Sequence, residues 1–107
     1  DVIVLVFGEE VYTEKPGDVD DLELPLPMRQ YAQDLIATGK PVIAVLVEGR
    51  PRLLRGCING AKAVIWAGLP GPEGGAAIAE LLQVSDHIWL PAQVLSPVLC
   101  LVLSSAE

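Results

Sequence analysis

Three short apolar runs decide what this chain can fold into. Residues 2–7 and Val42–Val47 carry no polar position at all, and residues 62–67 are apolar after Lys62. An amphipathic helix or a strand with one wet face would show polar residues at a fixed period. Runs this short, rich in β-branched residues and bounded by Gly or Pro, read instead as strands buried on both faces.

The segments between the runs supply crossovers. Met28, Tyr31, Ala32, Leu35 and Ile36 recur at i, i+3, i+4, i+7 and i+8, the pattern of one apolar helix face. Arg29, Gln30, Gln33 and Asp34 fall on the other side. Pro25-Leu26-Pro27 sets up this helix, expected over residues 28–38. Gly39 suits the left-handed position after it, and Pro41 prevents its continuation. A short helix or helical turn is expected at 52–57, a turn at Asn59-Gly60, a loop of two prolines and three glycines at 69–75, and a second helix at 75–82. Strands alternating with helices imply a parallel sheet joined by right-handed crossovers. The fold class is therefore α/β, a fragment of a three-layer sandwich with a mostly parallel sheet.

With 107 residues and a net charge of −7, the chain is at most one domain and a poor partner for nucleic acid or anionic membranes. The apolar content excludes disorder as its main state. Cys57 and Cys100 stand far apart, each beside apolar residues. Two buried thiols fit that setting better than a disulfide, which stays open. His87 is the only histidine, no Cys/His cluster has metal-ligand spacing, and no cofactor is indicated. The opening lacks the pattern of a signal peptide and begins on a core strand, as a piece of something longer would.

Half of the 14 acids lie between Gly8 and Leu24: Glu9, Glu10, Glu14, Asp18, Asp20, Asp21 and Glu23. Composition alone would make this a solvated turn-rich face. Its position says more, because open parallel sheets bind ligands in loops beyond the carboxyl ends of their strands. The residue order says more again. Gly8-Glu9-x-x-Tyr12-Thr13-Glu14-x-x-Gly17-Asp18 closely resembles the carboxyl-terminal catalytic-loop motif of glycoside hydrolase family 3, in its β-glucosidase and exo-β-glucanase subgroup. Leu22-x-Leu24-Pro25, Gly49-Arg50-Pro51 and Ala67-Gly68-Leu69-Pro70-Gly71-Pro72-Glu73-Gly74-Gly75 extend the resemblance, in order, to about residue 82.

The resemblance implies a retaining glycosidase in which two carboxyl groups stand about 5 Å apart. The nucleophile would lie on a (β/α)8 barrel domain outside this sequence, and the acid/base position falls on Glu14. Glu9, Tyr12 and Arg50 are expected to support the loop. Arg50, at a strand end on the loop's side, suits an ion pair with Glu9, and Tyr12 suits a loop anchor or a sugar-site wall. The implied partner is a β-glucoside or β-glucan oligosaccharide, bound together with the barrel, and the parent enzyme would be secreted or periplasmic. Alone, the fragment is expected to be inactive, with residues 9–21 its least ordered internal segment. A non-catalytic α/β module and a truncated gene product are the competing readings.

The chain divides on this reading into a partial family domain, 1–82, and a divergent apolar tail, 83–107. The tail's apolar stretch, residues 88–103, is interrupted by Pro91, Gln93 and Pro97 and is shorter than the ~20 apolar residues a membrane helix needs. Residues 98–103 are expected as an extra strand. Gln83-Val84-Ser85 is compatible with an exon–intron junction read as protein, one origin for the tail.

Overall fold

The structure, a computed structural model, describes residues 1–83 and the backbone of residues 101–104. It contains strand β1 (Ile3–Gly8), a 3₁₀ turn (Lys15–Gly17), helix α1 (Leu26–Ala37), β2 (Val42–Val47), β3 (Ala63–Trp66), helix α2 (Gly74–Gln83) and β4 (Leu101–Ser104). One sheet runs in the order β1-β2-β3-β4. The first three strands are parallel, with Ile3 opposite Val42 and Gly8 opposite Val47, and β4 joins β3 antiparallel. β4 covers part of the extra strand expected in the tail; the remainder lies outside the described residues.

Alternation along β2 divides the core into two layers. Val42 and Leu46 join Leu5, Phe7, Leu24, Ala32 and Cys57 on the α1 side. Val45 joins Ile65 and Ala67 on the other side, where Ile78, Leu81 and Leu82 of α2 pack. Complete burial of Val42 and Val45 contributes about 1.5–3 kcal/mol each. A helix on each face of the sheet makes the three-layer α/β sandwich.

The expectation of burial on both faces holds for β2 and not for β1. Leu5 and Phe7 are buried, whereas Val4 and Val6 are 45% and 57% exposed. The α2 side chains pack against β2 and β3, so no described element covers that half of β1. Tyr31, placed by period on the apolar face of α1, is 59% exposed, while Ala32 beside it is fully buried. α1 begins two residues earlier than expected because Pro27, with no backbone N–H to satisfy, fits the first helical turn. Gly39 follows it at φ 76°.

No helix forms at 52–57. Leu53 instead makes a parallel bridge with Glu23, and consecutive turns run from 55 to 60. Arg55 at φ 45° and Gly56 at φ 73° leave right-handed helical space, which stops propagation. The Asn59-Gly60 turn is present, with Gly60 at φ 93°. Cys57 is a buried free thiol whose pKa is raised by burial, against the opposing charge of Arg29. Cys100, His87 and Trp89 lie outside the described residues. Among the described residues no helix is long and apolar enough to cross a membrane, and no three His, Cys, Asp or Glu side chains cluster as metal ligands.

Candidate functional site

β1 and β2 end level with each other, so the chains leaving Gly8 and Val47 start side by side. The Glu9 N–H continues the pairing by donating to the Val47 carbonyl at 3.3 Å. Residues more than 40 positions apart therefore converge at the sheet's carboxyl edge.

Glu9 is the centre of this convergence. Its Oε1 accepts from Arg50 Nε and from Arg52 Nη1, both at 2.9 Å. The Glu9 and Arg52 side chains are only 11% and 9% exposed. Burial pushes the Glu9 pKa up, but the hydrogen bond and charge of Arg50 and the charge of Arg52 outweigh it, leaving the carboxyl below its ordinary value. Arg50 Nη1 also donates to the Gly17 carbonyl at 2.6 Å, and Arg52 Nη2 donates to the Glu23 carbonyl at 2.5 Å. Two guanidiniums thus bind the acidic loop at its start, middle and end.

Tyr12 fills the space beneath. The Arg50 guanidinium carbon lies 4.1 Å from the centre of its ring, a cation–π contact. Two glycines make room for the ring. A Cβ on Gly17 would stand 2.5 Å from Tyr12 Cδ2, and one on Gly49 2.5 Å from the Tyr12 hydroxyl oxygen. An open cleft of about 380 Å³ adjoins the cluster, lined by Tyr12, Val19, Leu24, Met28, Arg50 and Arg52 among others.

Glu14 stands apart from this cluster. It is exposed, precedes the 3₁₀ turn, and has φ 45° and ψ −144°. Its carbonyl accepts the Gly17 N–H at 2.9 Å. Among the described residues no salt bridge involves its carboxylate. A non-glycine residue in this region of backbone space costs on the order of 1–3 kcal/mol, and such strain collects at functional sites. Glu9, Tyr12 and Arg50 are therefore brought together, and Glu14 is displayed beyond them on the same loop.

Three contributors go beyond the residues expected from the sequence. Arg52 lies two residues after Arg50, across Pro51. The residue before a proline is biased towards extended backbone, which sends alternate side chains to one side, and that signal was available. Glu23 closes a second pair of ion pairs, with Arg29 at 3.1 Å and Arg55 at 2.6 Å. Glu48 is buried at the end of β2, 1% exposed, and nothing in its local sequence distinguishes it from a surface acid.

Residues 1–85 match the glycosyl hydrolase family 3 C-terminal domain. The chain is 46% identical over 84 residues to a lysosomal beta glucosidase of Dictyostelium discoideum, covering 78% of this chain and 10% of that protein. It is 40% identical over 94 residues to a probable beta-D-xylosidase 7 of Arabidopsis thaliana, covering 81% and 12%. With a periplasmic beta-glucosidase of Salmonella typhimurium it shares 36% identity over 83 residues, covering 77% and 11%. The chain thus spans about a tenth of the length of these relatives.

Proposed function

The chain belongs to the glycosyl hydrolase family 3 C-terminal domains, and from that membership we propose that its acidic loop supplies Glu14 as the acid/base of a retaining β-glycosidase. Residues 1–82 form the partial domain and 83–107 a divergent tail. A (β/α)8 barrel elsewhere in the parent enzyme supplies the nucleophilic carboxylate. The substrate is a β-D-glucoside or β-glucan oligosaccharide held between the two.

The chemistry follows from two carboxyl groups about 5 Å apart across one sugar. As the barrel carboxylate attacks the anomeric carbon, Glu14 protonates the departing glycosidic oxygen. Glu14 then takes a proton from water, and that water displaces the enzyme carboxylate from the sugar. The first step requires a protonated Glu14. Keeping that proton in place until the bond breaks takes a site closed to water, which the barrel and the sugar supply. The loop on its own therefore lacks activity.

One observation carries this reading. The loop is clasped at Glu9 and Gly17 by the same guanidinium, while the two carboxyls between them, Glu10 and Glu14, stay out of the ion-pair network, and of these two only Glu14 sits at positive φ. Glu9, Arg50 and Tyr12 act as supports, leaving Glu14 to face a partner domain.

The test uses the parent enzyme with its barrel. Glu14→Gln should slow p-nitrophenyl β-glucoside modestly and a glucoside with a poor leaving group by 100-fold or more, within the ~10²–10⁴ of general acid catalysis. Azide should restore turnover in Glu14→Ala by resolving the glycosyl-enzyme without a base. Equal slowing of both substrates with no azide effect would remove the assignment and favour a non-catalytic module. Running p-nitrophenyl β-xyloside alongside fixes the sugar.

A further inference from the structure

We infer that the cleft beside the arginine clasp is a subsite for the departing end of the substrate, and that it takes a neutral sugar. Tyr12, Val19 and Met28 supply its apolar wall, and Glu10, Asp18 and Arg50 its partners for hydroxyl groups. The inference deepens the acid/base reading of Glu14 and rests on it for the place of the scissile bond.

The cleft has the size and the position for this. Its volume of about 380 Å³ falls among pockets that hold small organic ligands, roughly 300–1,000 Å³. The loop bounds it on one side and the start of α1, through Pro25 and Met28, on the other. Tyr12 and Pro16 both line it, and each is two positions from Glu14. Two residues of chain span at most ~7 Å, so a molecule in the cleft lies beside the turn that displays Glu14. A glycan cleaved at Glu14 would have its departing sugars within reach.

The lining suits a pyranose, which has C–H groups on its faces and hydroxyls at its rim. Tyr12 and Val19 are 36% and 43% exposed, apolar surface left open to a ligand. Each hydroxyl both donates and accepts, and the cleft offers both kinds of partner. Among the described residues no ion pair involves Glu10 or Asp18, so their carboxylates are free to accept. Arg50 uses Nε for Glu9 and Nη1 for the Gly17 carbonyl, and Nη2 donates to no described residue.

The sign of the charge sets the class of sugar. Three carboxylates line the cleft against two guanidiniums, and Glu9 engages both guanidiniums. Glu10 and Asp18 therefore dominate what a ligand meets. A uronate there faces like charge, which disfavours it roughly fivefold for two charges about 4 Å apart in water. A metal ion is no better served, because no three acids, histidines or cysteines cluster among the described residues.

In this chain, cellobiose should shift the NMR signals of Val19, Leu24 and Met28, saturating in the millimolar range. A disaccharide of the same linkage carrying a glucuronate should bind about fivefold more weakly or worse. Glu14→Gln should leave both titrations unchanged. Val19→Trp, at a half-exposed position, fills the cleft with an indole and should abolish the response of Met28; if that variant does not fold, Val19→Phe takes its place. In the parent enzyme the same variant should raise KM for cellotriose about tenfold or more with kcat little changed. It should leave methyl β-glucoside unaffected, because a methyl leaving group is too short to reach the cleft. Absence of shifts at the cleft overturns the inference, as does equal binding of the neutral and acidic disaccharides or an equal rise in KM for both substrates. The titration needs no catalysis, so unchanged activity in Glu14→Gln parent enzyme would remove the acid/base reading while the titration still decides the sugar site.

Discussion

Arg50 meets Glu9 through Nε at 2.9 Å, across 41 positions of sequence, and both side chains are mostly shielded from water. A pair so placed differs from a surface ion pair, whose contribution is near 0–1 kcal/mol. Removing one partner strands the other in a poorly hydrated site.

Arg50→Ala should therefore destabilise the chain by about 2 kcal/mol, the scale of hydrogen bonds to charged groups. Lysine has one point charge in place of a fork and cannot bind Glu9 and the Gly17 carbonyl together. Arg50→Lys should recover less than half of the loss. Urea unfolding of the three proteins measures both.

The pH dependence of stability should show two opposed contributions. Glu9 has a folded pKa below 4.5, so its contribution is present above pH ~4.5 and is lost as pH falls through the lower folded value. Glu48 has a folded pKa above 4.5, so folding binds its proton. Its contribution is complete below pH ~4.5 and is lost as pH rises towards the raised value. Glu48→Gln should gain stability relative to wild type as pH rises above about 4.5, whereas Glu9→Gln should lose it over the window below, as pH rises from the lowered folded value to about 4.5. Unfolding curves in half-unit pH steps would reveal the divergence.

Gly49→Ala should cost about 1–3 kcal/mol by overpacking against the Tyr12 hydroxyl. Tyr12→Phe removes the atom met first, so the double variant should recover most of that cost. A double-mutant cycle with no coupling would place the strain elsewhere.

Glu14→Gly should be neutral or stabilising by up to about 1 kcal/mol, although it removes a side chain. Glycine adopts φ 45° without the penalty that glutamate bears there. In the parent enzyme the same change should abolish turnover of the poor-leaving-group glucoside. Thermal unfolding and a glucosidase assay on one variant would show the opposed effects.

Legibility in the sequence followed how local each cause was. Val42–Val47 was readable to the residue because its bounding signals, Pro41 and Glu48-Gly49, adjoin it. The α1 face was readable from period, except that period could not say whether Tyr31 or Ala32 would meet the sheet. Exposure of Val4 and Val6 depends on where α2 lies, and nothing within β1 records that. The same holds at the site. Arg50 with Glu9 could be expected from strand ends and charge sign, whereas nothing in the sequence around Glu48 records that the fold buries it. The loss of a helix at 52–57 turns on positive φ at Arg55, a residue with no marked preference for it.

The Gly8–Val47 pairing gives the arginine clasp a second role, in choosing among misfolded sheets. Sliding β1 by one residue along β2 would turn Val4 and Val6 towards α1 and rotate Leu5 and Phe7 into water. A strand so uniformly apolar distinguishes the two alignments only weakly by hydrophobicity. Glu9 is different, because in the slipped alignment it would sit on the face opposite Arg50 and Arg52. Two guanidiniums largely shielded from water would then lack their anion. The charged cluster at the strand ends is thus a checksum on alignment: it closes for one register of β1 and penalises its neighbour.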